Sequence, residues 1–525
     1  MTSFYGESRQ VNKISDEKEN QISRDNVDKW IFRLFLVLIG FMPLIVLAHA
    51  TEFVSPIVST MSNLTSGVKG DLFTYYKSLI ILVVTIIAAL LLLSKVLFMN
   101  GKVKKTKLNY FLGGFVIVLI ISTIVSPNIS IALNGLYNRS EGAIMWICYT
   151  ALIFIAMNIN YPKNAVNYVM YSLYPFIFIN LFIIIMNFYG KDLLQFEWVQ
   201  KLVSLFLTGG SQISEGSVLI GTLNQWNYMS GMFSIMTVMF LSYAVVDKNP
   251  IRRTINLIVA LAAMAVMLMS ISASGFVTVV FITVILIWLV IKSENKLKSL
   301  AVLVVFAIIS GALIHVLSLK NAEVWDESLG FFISENPYET EQPLGASVTT
   351  EGLLDLLSNK AYASDNSFEL PVLPTPQWGP GTGRIYIWQE TLELVADRPL
   401  FGYGIDTLVY HFPHTQLEAQ ANMNEVTIVD KPHNLYVGIL YGTGIIGFAL
   451  FAALLLITLV ATIKSIITFN CSSSLIVVLS VAWIAFLVQA LFNDTAPGTA
   501  GLLFTIAGIT LGLFYNEKEA NEANV

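Results

Sequence analysis

The sequence predicts an all-α membrane protein with about 12 transmembrane helices and one large extracytoplasmic loop. Three observations carry this expectation. Hydrophobic residues make up 55% of the chain and charged residues only 12%, whereas soluble domains carry about 25% charge. Apolar runs without charges recur along the chain, each near the roughly 20 residues that cross a hydrocarbon core as a helix. Lysine and arginine alternate in density from one connecting segment to the next, as the positive-inside rule requires.

Met1 to Trp30 form a polar lead of 30 residues. That is too long for the n-region of a signal peptide, so Ala48-His49-Ala50, which resembles a cleavage site, is read as part of a retained first helix. The spans are expected at 31–49, 75–94, 109–126, 143–158, 165–188, 226–246, 255–271, 275–292, 299–318, 434–463, 474–491 and 500–515. The resulting organisation is a cytoplasmic tail over 1–30, helices 1 to 9 over 31–318, the loop over 319–432, helices 10 to 12 over 433–515, and a second cytoplasmic tail over 516–525. Both termini then lie on the cytoplasmic side of the cell membrane. With that orientation the inner segments hold 20 of the 30 Lys and Arg residues and the outer segments 10, although the outer segments are longer. The loop is acidic, with 17 Asp and Glu against 5 Lys and Arg. A second outer segment, 191–207, puts Leu194, Trp198, Leu202 and Leu205 opposite a polar face. It reads either as a helix lying in the membrane interface or as a plain connector. Cys148 inside a span and Cys471 at a cytoplasmic edge predict no disulfide.

The spans are almost free of ionisable residues, which counts against a pump or ion-coupled transporter, because proton and ion relays need such groups in mid-membrane. Nothing in the chain points to nucleic acid. Attention moves to three outer segments. In Gly381-Thr382-Gly383-Arg384, Thr382 is the expected N-cap of a helix that ends at Pro399. Arg384 then sits in the first turn, where free N–H groups, the helix dipole and a bidentate guanidinium suit an anion. The alternative is an arginine paired within an acidic loop. In Asp430-Lys431-Pro432-His433-Asn434, Pro432 suits the first turn of the next span. The dipole there disfavours imidazolium, so His433 is either a neutral base for a hydroxyl or a locally hydrogen-bonded side chain. In Asn138-Arg139-Ser140-Glu141-Gly142, Arg139 either meets a phosphate or is held by Glu141. Two softer signals are the amide-rich Gly221-Thr222-Leu223-Asn224 and the small-residue turn Ser270-Ile271-Ser272-Ala273-Ser274-Gly275. Asn224 needs a polar partner, which either the neighbouring amides or sugar hydroxyls could supply, and the turn reads as packing.

In this order these segments, together with Gly402-Tyr403-Gly404, Gly442 and Gly444, resemble the O-antigen ligase and O-antigen polymerase superfamily. The resemblance implies an inverting, metal-independent transfer of a glycan from undecaprenyl diphosphate to a sugar hydroxyl at the outer face of the cytoplasmic membrane, with no cofactor. It implies that Arg384 holds the diphosphate and that His433 activates the acceptor, with Arg139, Glu141, Asn224, Arg398 and Asn434 binding substrate. Ligases of the family often carry Arg after the second Ser of the Ser-x-Ser turn, and this chain has Ala273 there. A second phosphate-binding arginine is then missing, or is supplied by Arg139 or Arg398. The departure favours a polysaccharide polymerase over an O-antigen-type ligase. A lipid-linked glycan flippase is the reading from another class, but a charged central cavity and two related halves are not evident in the sequence.

Overall fold

A computed structural model describes residues 2–57, 65–207, 218–223, 225–333, 335–339, 374, 383–423, 428–469 and 475–523. It is 71% helical. In chain order the elements are α1 (Thr2–Gly40), β1 (His49–Phe53), β2 (Gly67–Asp71), α2 (Tyr75–Phe98), α3 (Leu108–Val125), α4 (Ile129–Asn134), α5 (Ala143–Met157), α6 (Ala165–Ser172), α7 (Tyr174–Phe188), α8 (Glu197–Val203), α9 (Trp226–Val246), α10 (Pro250–Met269), α11 (Ala273–Lys292), α12 (Lys296–Ser318) and α13 (Glu323–Asp326). They continue with α14 (Arg384–Asp397), α15 (Leu417–Asn422), α16 (Leu435–Ile467), α17 (Ile476–Gln489) and α18 (Pro497–Ala523).

Among the described residues nine helices are long and apolar enough to cross a membrane, counting α6 and α7 as one, and α5 and α17 are shorter apolar helices. The bundle is built around α9, which is buried along its length and packs against α10, α11 and α17. A helix hydrophobic all round belongs in such a position. On its two flanks α18 packs on α5 and α16 on α3. The lipid-type face is plain on α2, where Leu79, Val83, Ile86, Leu90, Leu93 and Leu97 are exposed while Ile81, Val84, Ala88 and Leu92 are buried. The segment after α7 carries an outward apolar face at Trp198, Leu202 and Leu205, while Val199 and Val203 pack inward.

Three expected spans differ in outline. The polar lead is helical and continuous with the first span, which ends at Gly40 rather than 49. Pro43, lacking an N–H and restricting the residue before it, stops the α-helix in a short 3-10 turn at Met42–Leu44. Ala48-His49-Ala50 therefore leads into a hairpin, in which His49 pairs with Asp71 and Phe53 with Gly67. The 165–188 span is interrupted at Leu173, ahead of Pro175. The bundle also buries charge inside the α1–α2 contact, where Lys95 Nζ donates to Asp28 Oδ1 at 2.6 Å. Cys148 is a free, buried thiol, and Cys471 lies outside the described residues.

The third difference positions the site. α16 is broken at Gly444, whose φ of 65° and ψ of −173° leave the helical region. The break frees carbonyls at 441 and 442 and N–H groups at 445 and 446. A loop strand from the polar segment takes up all four. Tyr403 and Gly404 donate to Tyr441 O and Gly442 O, both at 3.0 Å, and Ile445 and Ile446 donate to Pro399 O and Leu400 O at 2.8 and 3.4 Å. Gly402 and Gly444 are required for this approach. A Cβ on Gly402 would lie 2.2 Å from Tyr441 O, and one on Gly444 would lie 2.4 Å from the Leu400 carbonyl carbon. The helix ladder is thus completed by the loop, which fixes α14 above the start of α16.

Gly444→Ala is expected to lower thermal stability in detergent by about 2 kcal/mol or more, through the left-handed φ and the backbone clash together. Gly311→Ala, where a Cβ meets nothing within 4 Å, is the control and is expected to be neutral or stabilising. A thermal melt of both variants checks this.

Candidate functional site

Two of the segments singled out from sequence lock together. Arg139 donates through Nε to Asp430 Oδ2 at 2.6 Å and through Nη2 to the same oxygen. Lys431 Nζ donates to Glu141 Oε2 at 2.6 Å and stands 3.6 Å from Asp406 Oδ1. The pairs cross: each segment contributes one cation and one anion. The partner of Arg139 is Asp430, not Glu141. Asp406 also accepts the Leu136 N–H at 2.7 Å, and Glu141 accepts from the Tyr149 hydroxyl at 3.3 Å. The Arg139 and Glu141 side chains are 4% and 1% exposed, so both are enclosed rather than open to a ligand. Arg139 Nη1 is buried with no hydrogen-bond partner, beside the face of Tyr228.

The electrostatics follow from burial set against these partners. Desolvation works against the charged Asp430, but Arg139 and His433 hold its carboxyl below the usual range. Burial also works against the Lys431 ammonium, and Glu141 and Asp406 raise its pKa above the ordinary lysine value. Asp406 goes the other way. Burial pushes its carboxyl from 3.8 up to about 6, partly opposed by Lys431. The void between these groups has a volume of about 40 Å3, too small for a sugar ring.

The exposed chemistry lies on the rim. Asn434 caps α16, accepting from the Tyr436 and Val437 N–H groups at 3.0 and 3.1 Å and donating to Leu491 O at 3.1 Å. The helix therefore begins at Leu435, and Pro432 lies ahead of it rather than in its first turn. His433 has a left-handed φ of 53°, a conformation that costs a non-glycine residue on the order of 1–3 kcal/mol. Asp494 holds it there. The carboxylate accepts the His433 N–H at 2.9 Å and the Asn434 N–H at 3.2 Å, and its Oδ2 lies 3.2 Å from the imidazole Nδ1. The imidazole is 29% exposed. Asp494 was not anticipated from sequence. The available signal was a lone carboxylate in the short polar turn Asn493-Asp494-Thr495 between two apolar helices.

α14 places Arg384 within electrostatic range of the same carboxylate, without an ion pair or hydrogen bond to it. Gly383, at φ 64°, is the N-cap, so Arg384 is the first helical residue; the expected cap, Thr382, lies outside the described residues. Trp388, one turn on, donates its indole N–H to Pro432 O at 2.7 Å and clamps the helix over the His433 segment. The face that packs inward is Tyr386, Ile387, Thr391 and Val395, while Leu392 points out. Arg384 makes no ion pair or hydrogen bond among the described residues. Partial burial lowers its pKa, and the Asp494 and Glu327 carboxylates pull it back up through space. Glu327 in turn accepts the Ala273 N–H, at 2.5 Å, at the start of α11. Arg398 lies at the far end of α14, about 20 Å away at 1.5 Å per residue, where it donates to Val125 O at 3.1 Å. Asn224 is outside the described residues. Its neighbour Thr222 packs on Asn180, which donates to the Thr222 hydroxyl at 3.0 Å. The Ser-x-Ser turn joins a buried polar cluster. Ser272 Oγ donates to Asn227 Oδ1 at 2.9 Å, and Gln489 bridges Ser274 and Thr278. Among the described residues no three His, Cys, Asp or Glu side chains are grouped as metal ligands.

A guanidinium at a helix N-terminus, unpaired among the described residues, thus lies within electrostatic range of a carboxylate that also contacts an imidazole. The family model described as O-antigen ligase matches residues 257–452. This chain carries an O-antigen ligase family domain. The match spans α10 to the first half of α16 and so includes Arg384, Arg398, His433 and Asn434, whereas Arg139, Glu141 and Asp494 lie beyond it. No curated protein matches the chain. The match, with the apolar helices, supports a multi-pass membrane protein of O-antigen ligase or polymerase type in polysaccharide biosynthesis.

Two outcomes follow from the crossed pairs. Arg139→Met leaves Asp430 buried without its cation and is expected to cost about 3–5 kcal/mol, read as a lower melting temperature whether or not any glycan is present. For Asp406, a raised pKa in the folded state means that its stabilising contribution is full below 3.8 and is lost as the pH climbs through about 6. The stability of the wild type relative to Asp406→Asn is therefore expected to fall over that window by on the order of 3 kcal/mol, measured by denaturation at a series of pH values.

Proposed function

We propose that this O-antigen ligase family protein transfers a glycan from undecaprenyl diphosphate to a sugar hydroxyl at the extracytoplasmic face of the cell membrane, without a metal and with inversion, and that it acts as a polysaccharide polymerase. The observation that carries the reading is that the Asp494 carboxylate contacts His433 and also acts through space on Arg384, across segments far apart in the chain. In the reaction the acceptor hydroxyl attacks the anomeric carbon on the face opposite the diphosphate. The new carbon–oxygen bond forms as the bond to the diphosphate breaks, and undecaprenyl diphosphate leaves with the bonding pair. Inversion follows from attack on the opposite face.

Each residue has a part that its surroundings support. His433 takes the hydroxyl proton through Nε2, which carries no hydrogen bond among the described residues, while Asp494 at Nδ1 orients the ring and offsets the charge the proton brings. Arg384 meets the negative charge that builds on the departing diphosphate. It is already partly desolvated and makes no ion pair or hydrogen bond among the described residues, so it needs little reorganisation to do so. The free N–H groups in the first turn of α14 add to the same anion site. The four backbone bonds at Gly444 and the Trp388 clamp keep this site rigid, as preorganised stabilisation demands. The polymerase choice rests on the supply of arginines. Ala273 stands where ligases of the family often have one, Arg139 is consumed by Asp430, and Arg398 is at the wrong end of α14.

Arg384→Ala and His433→Ala are each expected to lower transfer at least 100-fold while leaving the melting temperature near that of the wild type, and Asp494→Asn to lower it less. The measurement is the length distribution of lipid-linked glycan in cells and with purified protein. Retained single repeat units with loss of long chains mark a polymerase, whereas long chains that stay on the carrier mark a ligase. Wild-type length distributions in both alanine variants would remove the proposed roles.

A further inference from the structure

A large pocket lies outside the reacting groups, between the β1–β2 hairpin, the start of α2 and the α4 segment, with a volume of about 850 Å3. That is at the upper end of the roughly 300–1,000 Å3 typical of small-molecule sites. One rim is an aromatic platform. The His49 and Tyr75 rings stack at 3.5 Å between centroids and within 8° of parallel. A second aromatic pair, Phe53 and Tyr137, stands across the opening with centroids 5.3 Å apart. Between the two pairs the wall offers neutral hydrogen-bonding groups from Thr51, Asn128, Ser130 and Asn134. Among the described residues the lining contains no Lys or Arg, and Glu52 is its one carboxylate. A diphosphate has no counter-charge here. An uncharged, polyhydroxylated ligand with apolar C–H faces has both kinds of partner it needs: rings to stack on and amides and hydroxyls to bond.

The pocket is also braced and connected. Asp71 caps α2 by accepting the Phe73, Thr74 and Tyr75 N–H groups, which fixes the stacked ring. Thr74 Oγ1 donates to Ser140 Oγ at 3.3 Å. The 135–140 turn forms the inner wall, and the same turn continues into Arg139 and Glu141 of the crossed ion pairs. The floor, with Leu79 and Leu82, merges with the lipid-type face of α2. A ligand here would lie at the level where a membrane-anchored chain emerges from the bilayer.

From this geometry we infer a saccharide subsite in the hairpin pocket that holds glycan at a distance from the reacting bond. It deepens the glycosyl-transfer reading and rests on it. Binding energy from a remote part of a substrate retains and aligns the chain, so the subsite governs how long the product grows.

The test uses exposed positions. Ser130→Trp fills the pocket, and Glu52→Ala combined with Asn134→Ala removes polar partners without touching the core. With purified protein in nanodiscs and lipid-linked donor, both are expected to raise the apparent KM for acceptor glycan about tenfold, leave kcat within about twofold, and shorten the product. Gly311→Ala, in α12 and outside the pocket lining, is the control expected to behave as wild type. Unchanged KM and product length in Ser130→Trp, with Arg384→Ala inactive, would overturn the subsite while leaving the reaction standing. Should Arg384→Ala remain active, the reaction reading fails, and the subsite is judged separately by calorimetry with oligosaccharide released from the donor by mild acid. Binding to the wild type that Ser130→Trp abolishes supports the subsite, and binding that survives, or no binding at all, overturns it.

Discussion

The rest of the site depends on the crossed ion pairs Arg139–Asp430 and Lys431–Glu141. Two charged segments enter a low-dielectric interior, and each is tolerated because the other brings its complement. Burying one such charge alone costs several kcal/mol. Reciprocal pairing offsets much of that cost and at the same time sets the register between the 138–142 turn and the strand of chain that enters α16. Once this register is set, His433 can fall only at the rim beside Asp494. The ion pairs are therefore positioning elements, and the void among them is too small to admit substrate.

A second constraint acts from above. The loop that carries Arg384 is long and acidic, and its placement relies on backbone hydrogen bonds to a deliberately broken helix. Gly444 opens the ladder of α16, and the 399–404 strand closes it. Side chains then refine the fit: Ser126 Oγ donates to Tyr403 O at 2.6 Å, and Tyr403 stacks on Tyr441 with centroids 5.3 Å apart. Main-chain bonding of this kind is rigid. It lets a residue on a loop meet the precision that a phosphate site needs, while the membrane helices supply the floor. His433 is one of several non-glycine residues with a left-handed φ, Ser140 and Asp406 of the same site among them, and Asp494 compensates it with two backbone hydrogen bonds and a contact to the ring.

Much of the candidate site was legible in the residues themselves. Arg384 was expected in the first turn of a helix ended by Pro399, and it is there. His433 was expected at the mouth of a span. The cap, however, proved to be Asn434, because its side chain accepts two N–H groups and thereby moves Pro432 outside the helix. Arg139 and Glu141 were visible as a charged turn, but a local pairing between them was only one guess among others. Asp494 gave no signal beyond being alone between two apolar stretches. The end of the first span was misplaced because hydropathy continues past Pro43 even though helical hydrogen bonding cannot.

The amino-acid sequence by itself determined that this is a membrane-embedded helical protein and roughly where most helices lie. Burial in lipid is a property of each run of 20 or so residues, and a regular helical span satisfies its backbone within itself, the break in α16 being the exception. Only the tertiary structure decided which charges neutralise one another. Those partners stand 290 and 291 residues apart, and nothing local to either residue specifies a contact across that distance. The difference is physical: hydrophobicity is summed along the chain, whereas an ion pair depends on where the fold happens to place two atoms.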